Sequence, residues 1–213
     1  LIEGDDLIDP GKGNGSRYTL KNPFYIMTTE VTQGMFEGLM GYNPSTYAGE
    51  FKPVESLSWH EAAAFANAMS VRQEVEECYV CEGLSSMVEC VEVMDPLRCE
   101  GYRLPTESEW ELASKSGTTS DFWTGEGESL GGEYSSDNCS LAVLIDDGAL
   151  EPLLSDYAWF CGADGLNGYD SGTKEAGQLL HNGLGVYDML GNVSEWTTDW
   201  DKCHLRGAWC DHP

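Results

Sequence analysis

Gly183-Leu184-Gly185-Val186-Tyr187-Asp188-Met189-Leu190-Gly191-Asn192-Val193-Ser194-Glu195-Trp196 packs two carboxylates, three glycines, an amide and two aromatics into a stretch with neither helical nor strand period. Asp188 and Glu195 bracket a bend in which Gly191 permits positive φ. Two side-chain oxygens and the carbonyls between them can therefore converge on one point. Such a set suits calcium, a hard cation that takes six to eight oxygen ligands in irregular geometry. The alternative reading is a solvated turn with Trp196 as an ordinary core residue.

Working outward, the 213 residues, 41% hydrophobic, suffice for one good core and a single domain over 1–213. The formal net charge of −26 argues against nucleic acid and anionic lipid surfaces as partners, and favours cations or basic ones. No run approaches the ~18 apolar residues of a transmembrane segment. Leu1-Ile2-Glu3 does not resemble a signal peptide, so an exported protein would be represented here by its processed chain. Eight cysteines in a Lys-poor chain favour an oxidising compartment and a disulfide framework, hence an extracellular, cell-surface or periplasmic location. Cys78, Cys81, Cys90 and Cys99 cluster; they allow three disulfide pairings, and a Cys-x-x-Cys with two further thiols is also a zinc pattern. Cys139 with Cys161, and Cys203 with Cys210, are further candidate bridges by proximity in the chain.

The spacing predicts an irregular lead-in over 1 to 17 and one or two strands between Tyr18 and Thr28. A helix capped by Thr32 follows, with Met35, Phe36, Leu39 and Met40 on its apolar face. Ser58-Trp59-His60-Glu61 fits a capping box opening a second helix, buried through Ala62, Phe65, Ala66 and Met69, with His60 at the surface or partly packed. Residues 78 to 100 read as a stapled surface insertion. Thr106-Glu107-Ser108-Glu109 opens a third helix, with Trp110 and Ala113 inward and Glu107, Glu109 and Glu111 serving capping and solvation rather than acid-base chemistry. From Ser116 to Gly177 the chain reads as long loops pinned by aromatics, in which Asp164, Asn167 and Asp170 are weak calcium candidates that do not fit an EF-hand spacing.

Five blocks in order carry a resemblance: Phe24-Tyr25-Ile26-Met27-Thr28-Thr29-Glu30-Val31-Thr32; Asn43-Pro44-Ser45; Pro53-Val54-Glu55-Ser56-Leu57-Ser58-Trp59; Gly101-Tyr102-Arg103-Leu104-Pro105-Thr106-Glu107-Ser108-Glu109-Trp110-Glu111; and the stretch quoted first, continued by Asp199-Trp200. Together they resemble the formylglycine-generating-enzyme (sulfatase-modifying-factor) family. The resemblance implies an α+β, C-type-lectin-like single domain with long loops and limited regular structure, carrying a Cys-rich insertion at about 78–100. It also implies a structural calcium held by the Asp188 and Glu195 side chains and the Gly191 and Val193 carbonyls.

Enzymatic members of that family oxidise a protein cysteine with a copper ion held by two cysteines. The matching segment here is Arg206-Gly207-Ala208-Trp209-Cys210-Asp211-His212-Pro213, where Cys210 falls one place early and no second cysteine follows. Cys210 is thus a weak catalytic candidate, and Cys203, Cys210, His204 and His212 form an alternative soft-metal set set against a disulfide role. The leading expectation is an exported, non-catalytic binding or structural module of a bacterial surface, contacting a protein or glycan or associating with itself. The alternatives are a copper-dependent oxidase and, by fold analogy, a variable ligand-binding protein of the diversity-generating type.

Overall fold

The computed structural model describes residues 2, 6–8, 17–20, 22–93, 95–118, 123, 156–159, 172–198 and 205–206. Their elements run β1 (Asp6–Ile8), β2 (Arg17–Thr19), α1 (Gln33–Met40), α2 (Trp59–Arg72), β3 (Tyr79–Glu82), β4 (Glu89–Glu92), α3 (Glu107–Lys115), β5 (Glu195–Trp196) and β6 (Leu205–Arg206). The strands form separate antiparallel pairs, β1 with β2, β3 with β4 and β5 with β6. This is the expected α+β architecture, poor in regular structure. Among the described residues no helix is long and apolar enough to cross a membrane. The chain resolves into two compact units, Leu1–Glu30 with Ser108–Asn192, and Val31–Glu107 with Val193–Pro213.

In the first unit the lead-in differs from expectation, since Asp6–Ile8 pairs with Arg17–Thr19 instead of staying irregular. A two-way bridge between Ile2 and Phe24 extends this (N–O 2.8 and 3.0 Å), satisfying backbone groups that a bare loop would leave unpaired. The core gathers Ile2, Trp110, Leu112, Ala113, Val186 and Met189. Trp110 and Ala113 face inward as expected, but Glu109 is buried with them instead of solvated. Helical geometry explains it: Glu109 lies beside Trp110 and one turn before Leu112 and Ala113, on the packed side. Glu111 stays at the edge and pairs with Lys115 one turn on, at 2.8 Å.

The second unit is built on α1 and α2. Thr32 caps α1, its hydroxyl accepting from the Met35 amide at 3.3 Å. Phe36 is fully buried, stacked on Phe65 and met edge-on by Tyr42. Met35 was expected on this face; it is partly exposed, and Gln33 takes the buried place. The Gln33 amide compensates its burial with four bonds: it donates to the Tyr47 and Pro53 carbonyls and accepts from the Asn43 side chain and the Gly49 amide. One polar side chain thereby fastens the loop after α1.

At the start of α2 the capping box is complete, Ser58 Oγ accepting from the Glu61 amide and Glu61 Oε2 from the Ser58 amide. The buried face of α2 keeps Phe65 and Ala66 and the partly buried Met69 of the expected set, and it is wider than that set. Ala63, Ala66, Asn67 and Ser70 are buried while Ala62 is not, because the 78–100 segment packs there. Asn67 supplies the reason: its side chain accepts from the Tyr79 amide (3.1 Å) and donates to the Tyr79 carbonyl (2.7 Å), imitating a neighbouring strand. The four clustered cysteines form two disulfides, Cys78–Cys99 and Cys81–Cys90, which selects one of the three pairings and overturns the zinc alternative. A sulfur bound to sulfur is no thiolate ligand.

Candidate functional site

The candidate site is the polar knot of the first unit, residues 172–192, which takes in the quoted stretch as far as Asn192. It begins with Asn182, which is almost fully buried. Its side-chain oxygen accepts from the Leu184 and Val186 amides, and its amide donates to the Ala113 carbonyl at 2.6 Å. The last carbonyls of α3 lack intrahelical partners, so one Asn both closes the 182–186 turn and caps a helix end.

Three residues from Asp188 to Asn192 take positive φ: Asp188 (56°), Gly191 (103°) and Asn192 (56°). Asp and Asn tolerate this region better than other side chains, and Gly191 was expected to use it. At Gly191 the constraint is also steric, since a Cβ would overlap the backbone of Trp159, which runs alongside as a parallel bridge. The Asn192 amide donates to the Trp159 carbonyl at 2.9 Å. Its side chain accepts from the Lys174 amide, and donates to the Lys174 carbonyl and to the carboxylate of Glu30 at 2.7 Å. Asn192 therefore holds three separated segments together, a role that its place in the sequence did not announce.

Asp188 is only 3% exposed. Oδ2 accepts from the Gly177 amide at 2.6 Å, whereas Oδ1 is buried with no hydrogen-bond partner. Burial raises its pKa above the usual carboxylate value, and the Gly177 amide offsets part of that. Beside it lies a cavity of about 10 Å³, lined by Trp123, Tyr157, Asn182, Val186, Asp188 and Met189 among others. That volume is at the threshold for one small occupant. A buried carboxylate with an unpaired oxygen costs several kcal/mol unless a proton, water or cation satisfies it, so Asp188 fits a cation ligand. Among the described residues no three His, Cys, Asp or Glu side chains gather as a metal cluster, so further donors here would be carbonyls, asparagine oxygens or water.

Of the other calcium candidates, Gly191 belongs to this unit, while Val193 and Glu195 belong to the second. Glu195 lies in β5 with its Cα opposite Arg206. Trp196, the alternative core residue, is half-buried and donates its indole N–H to the Leu57 carbonyl at 3.1 Å. Trp59 makes the matching bond to the Thr197 carbonyl at 2.9 Å. His60 is partly packed as expected, its Nδ1 accepting from the Cys90 amide. Asp164, Asn167, Asp170, Cys139, Cys161, Cys203, His204, Cys210 and His212 lie outside the described residues.

Residues 8–209 match the family described as the sulfatase-modifying factor enzyme 1-like domain. The chain belongs to that family. The sulfatase-modifying factor match takes in both units and every motif block named above. Among its relatives, the chain is 32% identical over 212 residues to a chaperone protein, LppX, of Paenibacillus barcinonensis, covering 94% of this chain and 70% of that protein. It is 37% identical over 102 residues to the formylglycine-generating enzyme of Mycobacterium tuberculosis, covering 47% of this chain and 28% of that enzyme. Among solved structures, Treponema denticola variable protein 1 superposes with a TM-score of 0.62 at 23% identity, over 97% of this chain and 73% of that one. PvdO of Pseudomonas aeruginosa superposes at 0.57 and 17% identity, over 99% and 75%. At these identities the two structures establish a shared fold.

Proposed function

We propose that this chain is an exported, non-catalytic member of the sulfatase-modifying factor family that binds other proteins in the manner of a chaperone, on a scaffold stiffened by disulfides and calcium. The observation that carries the reading is the extent of likeness. The chaperone LppX matches over 94% of the chain, whereas the formylglycine-generating enzyme of Mycobacterium tuberculosis matches over 47%. Two disulfides within the second unit support an oxidising compartment. The orphaned oxygen of Asp188 supports a cation there, with the Gly191 carbonyl of the same unit as a further donor on the strength of the family motif. Its chemistry would be structural, neutralising a buried charge and fixing a bend that no helix or strand holds. The test is dilution of denatured, reduced lysozyme into buffer with and without the protein. Suppressed aggregation at stoichiometric ratio is expected, and unchanged light scattering would sink the reading.

The 37% identity to a formylglycine-generating enzyme favours a second reading, a copper-dependent oxidase of protein cysteine. Titration of the protein with copper(I) separates the two. Tight binding of one equivalent by a cysteine pair supports the oxidase; full oxidation of the eight cysteines with no copper retained supports the binding module.

A further inference from the structure

The second unit carries a surface that neither the family match nor the candidate site explains. β3 and β4 form a hairpin whose directly opposed residues are Tyr79 with Glu92, Val80 with Val91, Cys81 with Cys90, and Glu82 with Glu89. Directly opposed residues share a face. Tyr79 and the Cys81–Cys90 disulfide point to α2, so Val80, Val91, Glu82 and Glu89 form the other face, and all four are exposed. At the tip, Leu84 and Met87 are each 80% exposed. Outward apolar side chains at these positions gain nothing for the fold, and two carboxylates directly opposite each other weaken the hairpin.

The hairpin is not a slack loop that exposes these groups by accident. Gly83 (φ 93°) and Ser85 (φ 54°) set its turn, and a Cβ at Gly83 would overlap the Met87 carbonyl. The two disulfides close it, and side chains of α2 occupy both outer strands, Asn67 on the Tyr79 backbone and His60 on the Cys90 amide. Addition of a further strand is therefore hindered, and the open face is what remains for contact.

Charge selects the occupant. Residues 78–100 hold five carboxylates and one guanidinium, Arg98, which pairs with Asp95; Glu74, Glu76 and Glu77 stand just before them. A second copy of a chain with net charge −26 would be repelled. We propose that the outer face of this stapled hairpin is a docking surface for an extended segment of a partner protein whose every second residue is in turn apolar and basic, so that both kinds share one face. The apolar side chains cover Val80, Val91, Leu84 and Met87, and the lysines or arginines meet Glu82 and Glu89. This deepens the protein-binding reading above and rests on it.

The test uses the intact, oxidised protein and a short fluorescein-labelled lysine–valine peptide, in which valine and lysine take every second position in turn with serine between, with glutamate–valine and lysine–serine peptides of the same spacing as controls. Anisotropy should report binding of the lysine–valine peptide alone, weakening as salt rises past about 0.1 M, where exposed charges are screened beyond ~10 Å. Val80→Thr with Val91→Thr, and separately Glu82→Gln with Glu89→Gln, should each weaken it about tenfold. The glutamine pair should melt no lower than the parent, since it removes a like-charge pair, so lost affinity cannot be misread as lost fold. Binding of the peptide that is indifferent to both double variants, or concentration-dependent dimerisation abolished by Val80→Thr with Val91→Thr, would overturn the proposal. If lysozyme aggregation is still suppressed by the double variants, the surface is wrong while the chaperone reading stands. If neither lysozyme nor peptide binds the parent protein, both fall.

Discussion

The knot at 172–192 and the hairpin at 78–100 solve the same problem with different chemistry. Both are irregular excursions with too few backbone pairs to hold themselves. The hairpin is closed by two disulfides and a four-pair ladder, and its polar groups are exposed. The knot is closed by the side chains of Asn182, Asn192 and Asp188 and by six positive-φ residues, and its Asn182 and Asp188 side chains are buried. Covalent closure works whatever the burial, so it leaves a surface free for contact. Closure by hydrogen bonds requires water to be excluded, which concentrates strain and unpaired charge inside.

Gly191 is the most sensitive point of the knot. Gly191→Ala adds a Cβ against the Trp159 backbone at φ 103°, and should cost about 4 kcal/mol, read as a fall in the denaturant midpoint. Gly185→Ala, where φ is also positive but the Cβ meets open space, should cost about 1 kcal/mol; equal losses would show that conformation alone and not overlap governs the knot. Next comes the hairpin. Removing Cys78–Cys99, which closes a 21-residue separation, by the double alanine variant should cost about 3 kcal/mol in urea unfolding of the oxidised protein. A smaller loss would mean that the packing of Tyr79 and Asn67 on α2 already constrains the loop.

Calcium sharpens the contrast further. At a hundredfold excess over its dissociation constant it should stabilise by about 2.7 kcal/mol, seen as a rise in Tm that Asp188→Asn abolishes; chelation without effect on Tm would remove the ion from the account. The pH-dependent contributions of Asp188 and Glu61 should run in opposite directions. Burial raises the folded pKa of Asp188, so without a cation its contribution is present below the ordinary carboxylate pKa and lost as pH rises through the folded value. Glu61 behaves in reverse. Burial alone would raise its pKa, but bonds from the Ser58 amide, the Tyr42 hydroxyl and the Ser58 hydroxyl hold it below the usual range. Its contribution is present above the ordinary carboxylate pKa and lost as pH falls through the depressed one. Glu61→Gln should therefore cost about 1 to 2 kcal/mol at neutral pH and progressively less in acid, measured by urea unfolding at a series of pH values.

Much of this is legible along the chain itself. Ser58 and Glu61 sit at the spacing of a capping box, Thr32 precedes a helix, and Gly191 stands in a bend with no regular period; each is a local signal, and each held. The misses share a cause. Hydrophobicity puts Met35 and Ala62 inside, whereas the fold buries Gln33 and Asn67, whose amides count as polar. What buries an amide is the presence of backbone groups to satisfy it, such as the Pro53 carbonyl for Gln33 and the Tyr79 strand for Asn67. No periodicity reports that.

Neighbours along the chain and composition thus suffice for the family, through five ordered blocks, for the net negative charge, for the helix starts and for the positive φ of Gly191. Only the tertiary structure decided which cysteines pair, that Asn182 caps α3, that Asn192 joins Glu30 to Lys174, and that Asp188 keeps one oxygen unpaired. Those outcomes depend on which groups meet across 69 or 162 residues of chain, and a buried hydrogen bond exists only once both partners have been brought together and dried.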